Sequence, residues 1–352
     1  MIGVMRLTLR WFGPDDPVKL ASIRQIPGVT GVVSAVHGAP SGAPWREADV
    51  AALADHATRH ELALDVIESI PVHESVKLGS PDAADHTASW IDSLRAVAAV
   101  GVPVVCYNFM PLFDWLRTDL ARSLPDGSTA LAFDRTAADG WAGRPLSEFA
   151  LPGWLPTVRD EEFADLSARF ASLGHDALWS NLARFLGAVA PEASRLGVKL
   201  AIHPDDPPWD VLGAPRIVTS GAALRRVCEI VDDPASGVTL CTGSLGASPA
   251  NDLPAIAREL APRVHFLHAR NVRRTGEQSF HESAHPREAG DVDLPGVVAA
   301  LRLGGFDGPV RPDHGRMIWG EAGRPGYGLY DRALGAAYLR GVLDALESSA
   351  DS

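Results

Sequence analysis

The sequence has little cysteine. Its three cysteines, Cys106, Cys228 and Cys241, are odd in number and share no C-x-x-C spacing. That excludes a disulfide framework and fits a reducing compartment. Long hydrophobic runs are missing too. No stretch of about 18 apolar residues occurs, and no basic N-terminal segment leads into a short apolar one. Neither a membrane span nor a secretory signal is expected, and the reading is a cytoplasmic chain. Positive charge is in short supply: 32 Lys and Arg stand against 44 Asp and Glu, a net charge of −12. This argues against a nucleic-acid partner and against an anionic membrane surface. An acidic protein that takes an anionic substrate must supply positive charge locally, and a metal ion is the usual source. Low-complexity tracts and internal repeats beyond a strand–helix unit are also absent.

What remains is an ordinary globular composition over 352 residues, 46% of them hydrophobic, enough for one large core. Short apolar runs alternate with helical patterns every 30–40 residues, the rhythm of a parallel sheet. Met5–Arg10 reads as a first strand and TGVVSAVHG as a second, ending near His37. LALDVIES is a third, ending near Glu68, and VPVVCYNF a fourth, ending near Asn108. Helical patterns over 17–25, 45–60 and 86–101 separate them. The rhythm then breaks between Phe109 and Gly197. The first half of that stretch has little periodicity. The second, from Glu161, is helical with a break at Gly174. A long loop at this point would lie over the C-terminal end of the strands, as a lid or a partner-contacting flap, or as a surface excursion with its own small core. Four more strands follow, with helices over 221–231, 253–260 (capped by Asn251 or Asp252) and 294–303. A C-terminal helix over 332–346 would close the ring. Eight strands is the closure number of the β/α barrel. The expectation is a single α/β domain over 1–352, a (β/α)8 TIM barrel with a long, partly helical insertion at about 109–197.

The last four strands end alike. VKLAIHPDD ends on His203, GVTLC on Cys241, RVHFLH on His268 and GPVRPD on Asp313. In a β/α barrel the site sits at the C-terminal ends of the strands, so these residues would meet although they are far apart in sequence. Imidazole, thiolate and carboxylate together suit a borderline divalent ion such as manganese, iron or zinc. His314 follows Asp313 directly. Neighbouring side chains on a strand point to opposite faces, so both can serve one site only if the chain bends there. If Asp313 holds a metal, His314 is free to move protons. Tyr327, in the glycine-flanked PGYG, is a candidate acid or base, with Tyr330 as the alternative. His281–His285 reads HESAH, a match to the zinc-protease pattern H-E-x-x-H. That pattern needs both histidines on one helical face, and Pro286 directly after it argues against such a helix. The stretch is read as a loop after the seventh strand, from which His281 reaches substrate.

Several stretches are specific enough to carry a resemblance: RWFGPDDPV, ESIPVHESVK, VCYNFMPLFDWLRTDL, HPDDPP, CTGSLG, FHESAH followed by GDVD, RPDHG and PGYG. Along nearly its whole length the sequence resembles the D-mannonate dehydratase family of hexuronate catabolism. The resemblance implies a xylose-isomerase-like barrel, activity with Mn²⁺ or Fe²⁺, and metal ligands at His203, Cys241, His268 and Asp313. It places a proton-transfer pair at His314 and Tyr327 without saying which is base and which acid. The substrate would be the sugar acid D-mannonate, held by His37, His73, Asn108, Arg270, His281 and Arg311. Asp205 would orient His203 or a substrate hydroxyl. A homo-oligomer, a dimer, is expected. The chain departs from the family at Phe12, where a tyrosine is usual, and at Gly38, where a second histidine follows His37. It also has Ala269 between His268 and Arg270, and a shorter segment over 134–157. These changes bear on substrate fit more than on chemistry. Two other functions remain open: a metal-dependent sugar isomerase or epimerase, and a sugar-acid-binding homologue without turnover.

Overall fold

The computed structural model describes residues 5–149, 151 and 160–350. In chain order its strands are β1 (Arg6–Arg10), β2 (Val29–Ser34), β3 (Ala63–Glu68), β4 (Val104–Tyr107), β5 (Asp119–Ser123), β6 (Thr129–Phe133), β7 (Lys199–Ile202), β8 (Ser236–Cys241), β9 (Val264–His268), β10 (Asn271–Gly276), β11 (Ser279–Ser283) and β12 (Pro309–Arg311). Eight of them close into an all-parallel barrel in the order β1, β2, β3, β4, β7, β8, β9, β12 and back to β1. These strands are near-continuous apolar runs because both of their faces are covered. One face meets the helices. The other fills the barrel, where Val33, Val66, Val104, Cys106, Ala201 and Phe266 pack as an inner core.

The helices start where the sequence supplies an acceptor for their first free N–H groups. Ser220, Asp252 and Asp293 each accept from the backbone N–H three residues on, opening Gly221–Ile230, Leu253–Leu260 and Leu294–Leu303. Asp252 is thus the cap of its helix, while Asn251 donates its amide to the carbonyls of Thr219 and Leu245.

The stretch at 109–197 divides in two. Its last helix, His175–Leu196, packs on the helix Ala83–Ala99 and on β7. It takes the ring position between β4 and β7, so it is part of the barrel layer and not an excursion. The break expected at Gly174 separates it from Asp160–Leu173. The earlier part, read as aperiodic, contains the β5–β6 hairpin. Pairing of β6 with β11 joins this hairpin to the β10–β11 hairpin in one four-stranded antiparallel sheet. The β5 strand is mostly exposed. It therefore carries no alternating core face, which is why the periodicity was faint. Of the segment over 134–157, residues 150 and 152–157 lie outside the described residues, as do 158 and 159.

Candidate functional site

The site is built by the period-two geometry of strands. Phe266 points into the barrel, so His268 two residues on does the same. Register brings Cys241 and Arg311 directly opposite His268 on its two sides. Glu68 stands opposite Cys106 on the far wall. The inward side chains at the strand ends thus form one layer of charged and metal-competent groups above the apolar inner core.

His203, Cys241 and His268 each offer one ligand atom, and the three atoms lie within 4.8 Å of one another. Asp313 Oδ2 is 3.9 Å from both Cys241 Sγ and His268 Nδ1. His268 Nε2 is buried without a hydrogen-bond partner among the described residues. Burial, reinforced by Arg311 and neighbouring cations, holds His268 well below the usual histidine range, in the neutral form that ligates. Burial also opposes charge on His203, but Cys241, Glu68 and Asp313 around it prevail and carry it to about 9. A divalent ion would replace that proton. Asp313 resists the upward push of burial because Arg311, His314 and Arg270 flank it, and it settles at about 2. The residues therefore fit a metal. A second group, Glu68, Cys106 and His268, shares His268. Burial drives the Cys106 thiol well up, so it stays protonated, and the set containing Cys241 is the better one.

Asp313 has φ of +63°. That left-handed turn is the bend the sequence required, and it lets Asp313 and His314 serve the same cavity. The His314 and Tyr327 rings are 5.3 Å apart, and Trp115 stacks on His314 at 4.6 Å. Tyr330, the alternative, is 43% exposed and packs on Trp319 instead. His314 Nδ1 lies 2.6 Å from Glu282 Oε2. When Glu282 is ionised it can only accept, so Nδ1 then carries the hydrogen and Nε2 keeps its lone pair, against which Arg270 Nη1 rests. Burial, with Arg270 and Arg117 nearby, keeps His314 neutral against the pull of Asp313. Burial pushes the Tyr327 phenol up to about 12, with Arg311 opposing.

Around this pair runs a ring of buried charge. Arg117 forks onto Asp206, Nη1 to Oδ1 at 2.8 Å and Nη2 to Oδ2 at 3.0 Å, and also donates to Glu282 Oε1 at 3.0 Å. Arg270 donates to Asp206 Oδ2 at 2.6 Å and lies 3.1 Å from Asp313 Oδ2. Gly243, in the short helix Thr242–Gly246, is what lets Arg270 lie so close: a Cβ there would fall 1.8 Å from Arg270 Nε. Burial raises Glu282 to about 7, although Arg117 and Arg270 hold it down. Removing Arg117 would strip buried Glu282 Oε1 of both its hydrogen bonds and leave Asp206 to Arg270 alone among charged partners. Arg117→Met is expected to cost about 3–5 kcal/mol of unfolding free energy, read from urea denaturation.

The cavity brings together Asn108, His203, Arg270, Arg311, Asp313, His314 and Tyr327 among the residues expected from the sequence. Cys241 and His268 lie fully buried beside it. Four others go elsewhere. His37 lines a neighbouring groove beside Phe12. His73 caps the helix Glu74–Leu78 and stacks on His86. Asp205 turns away from the cavity and accepts from the backbone N–H groups of Ile217 and Val218, so it holds a loop. His281 lies on β11, where alternation sends it opposite to Glu282, and its Nδ1 meets the Glu282 carbonyl. HESAH is thus half of a hairpin, and its His285 contacts the Pro312 carbonyl. Residues the sequence reading passed over are Glu68, Trp115, Arg117, Asp206 and Glu282. Arg117 and Asp206 sit inside the motifs DWLRTDL and HPDDPP, and Glu282 sits in HESAH. Glu68 already marked a strand end.

Of the buried arginines that keep N–H groups without partners among the described residues, three are Arg10 (Nη1), Arg270 (Nε) and Arg311 (Nε and Nη1). All three residues line the cavity. Glu68 Oε2 is an unpartnered acceptor on the same wall. This is a lining for an anion that also carries hydroxyls.

The family model of D-mannonate dehydratase (UxuA) matches residues 5–352. Mannonate dehydratase 2 of Halalkalibacterium halodurans is 50% identical over 347 residues, which are 98% of this chain and 100% of that protein. The crystal structure of mannonate dehydratase from Streptococcus suis serotype 2 superposes with a TM-score of 0.91 at 42% identity, covering 98% of this chain and 96% of that one. D-psicose 3-epimerase, solved in the presence of D-fructose, gives a TM-score of 0.57 at 14% identity, covering 96% and 99%, which is likeness in fold alone.

Proposed function

This chain belongs to the D-mannonate dehydratase family, and on that premise we propose that it removes water from D-mannonate to give 2-keto-3-deoxy-D-gluconate. The observation that carries the reading is the coincidence, in one cavity, of a metal-competent set, a facing His–Tyr pair and buried guanidinium groups with free donors. His203, Cys241, His268 and Asp313 would hold Mn²⁺ or Fe²⁺. When bound, that ion supplies Lewis-acid stabilisation for the negative charge that develops next to the substrate carboxylate.

The chain's own groups supply the rest. Arg10, Arg270 and Arg311 bind the carboxylate and its neighbouring hydroxyls with their unpartnered N–H groups. A carboxylate arriving there competes for Arg270 and uncovers His314 Nε2. His314 takes the C2 proton on that lone pair. Tyr327, whose phenol burial keeps protonated, donates its proton to the departing C3 hydroxyl, which leaves as water. The resulting enol then becomes the 2-keto acid. One proton is taken from carbon and one given to oxygen, so the reaction needs a base and an acid held apart, and the 5.3 Å between the His314 and Tyr327 rings supports that reading. Trp115 lines the cavity and stacks on His314, which shields that ring from bulk water.

The setting is hexuronate catabolism in the cytoplasm. Among the described residues no helix is long and apolar enough to cross a membrane. We read the chain as one barrel domain, with the segment that carries β5 and β6 as lid, working as a homodimer with no nucleic-acid partner. The test is the product. A 2-keto-3-deoxy acid, detected by periodate–thiobarbiturate, supports dehydration. An isomer or epimer of unchanged mass would point to a sugar isomerase or epimerase, and binding without product to a homologue that has lost turnover.

A further inference from the structure

The HESAH stretch is unclaimed by the reaction just described, yet one of its residues touches the proton-transfer pair. We propose that Glu282 is a positioning residue for His314, and that Arg117, carried by the segment inserted after β4, is the strut that holds Glu282 in place. The inference rests on the reading that His314 moves a proton.

The geometry is specific. Glu282 is fully buried on β11, and its two oxygens do different jobs. Oε2 faces His314 Nδ1 at 2.6 Å. Oε1 takes Arg117 Nη2 at 3.0 Å and Nε at 3.2 Å. Arg117 is itself fixed by its two-pronged contact with Asp206 and by Trp115 and Phe280, whose rings it covers at 5.2 and 4.9 Å. The carboxylate therefore cannot turn away from the imidazole without breaking two charged contacts. A neutral imidazole has two tautomers, and only the one with hydrogen on Nδ1 leaves Nε2 able to accept. An acceptor fixed at Nδ1 selects that tautomer and sets the ring plane, the service a buried carboxylate gives to a catalytic histidine in hydrolases. None of this comes from the barrel strands. Glu282 and Arg117 both lie on the antiparallel sheet or beside it, so the pairing of β6 with β11 is a precondition for a correctly set base.

The experiment uses the full-length protein labelled with ¹⁵N-histidine, loaded with diamagnetic Zn²⁺ for the spectra and with Mn²⁺ for the kinetics. The His314 signals among the twelve histidines are assigned by their loss in His314→Asn. In the unsubstituted protein they should show a protonated Nδ1 and a bare Nε2. In Glu282→Gln, whose amide can donate as well as accept, the two tautomers should mix. With it kcat should fall about 100-fold or more, while KM for D-mannonate changes by no more than about threefold and metal content stays the same. Glu282→Asp should recover part of kcat. A hydrogen on Nε2 in the unsubstituted protein would overturn the proposal even if Glu282→Gln failed to fold. So would a folded Glu282→Gln with kcat within about threefold of normal. If His314→Asn is inactive while Glu282→Gln works, only the role of Glu282 fails. If His314→Asn keeps its turnover, the underlying reading fails instead.

Discussion

Replacing Tyr327 by phenylalanine, or His314 by asparagine, is expected to lower turnover of D-mannonate by about a thousandfold or more, within the range that positioned acids and bases contribute. The fold and the bound metal should be unaffected. Tyr327→Phe removes one oxygen. The ring keeps its edge-on contact with Phe12 at 4.7 Å and its place beside Trp115, and the backbone carbonyl still accepts from Arg332. What is lost is the only phenol among the described residues that faces His314 in the cavity lining. His314→Asn can preserve a contact to Glu282 through its amide, so the charge ring around Arg117 and Asp206 should stand. A useful check is deuterium exchange at C2. If His314 takes the C2 proton and Tyr327 releases the hydroxyl, Tyr327→Phe should still exchange C2 hydrogen slowly with solvent, whereas His314→Asn should not. Near-normal turnover in either variant would remove that residue from the mechanism.

The second large effect concerns the metal set. Cys241→Ser is expected to weaken metal binding by more than the roughly 10- to 100-fold that loss of an outer-shell partner costs, and to abolish turnover at micromolar metal. Cys241 is completely buried opposite His268. A serine there fits sterically but offers a neutral hydroxyl in place of an anionic thiolate, and so a weaker ligand for a divalent ion. Metal content after dialysis, measured directly, checks this without relying on activity. Cys106→Ser makes the control, since that thiol is held protonated by its burial and is expected to leave metal content unchanged.

The barrel was legible because its signal is local. Each parallel strand is a short apolar run with a turn after it, and the chemistry-bearing residues sit at fixed places, the strand ends. His203, Cys241, His268 and Asp313 could be brought together by counting strands alone. The bend at Asp313 could be stated as a requirement, although its sign of φ is visible only in three dimensions. The β5–β6 hairpin was harder. Its turn, Pro125-Asp126-Gly127, is a recognisable signal, but the β5 strand has no buried face to give it a period. Asp205 and Asp206 were indistinguishable by type: adjacent carboxylates point opposite ways, and the backbone path decides that Asp206 meets Arg117 and Arg270 while Asp205 holds a loop. Glu282 was hidden by its motif, since HESAH drew the eye to the histidines when the strand turns the glutamate inward. Long-range ion pairs such as Arg117–Glu282 leave no trace in local pattern, because charged residues of either sign read simply as polar.

Purified protein stripped of metal and given D-mannonate, with Mn²⁺, Fe²⁺, Zn²⁺ or nothing added back, tests the central claim most directly. The account predicts no 2-keto-3-deoxy-D-gluconate from the stripped protein and its return with manganese or ferrous ion. Full turnover in the rigorously metal-free protein would contradict it, as would the absence of product with every metal while D-mannonate still binds.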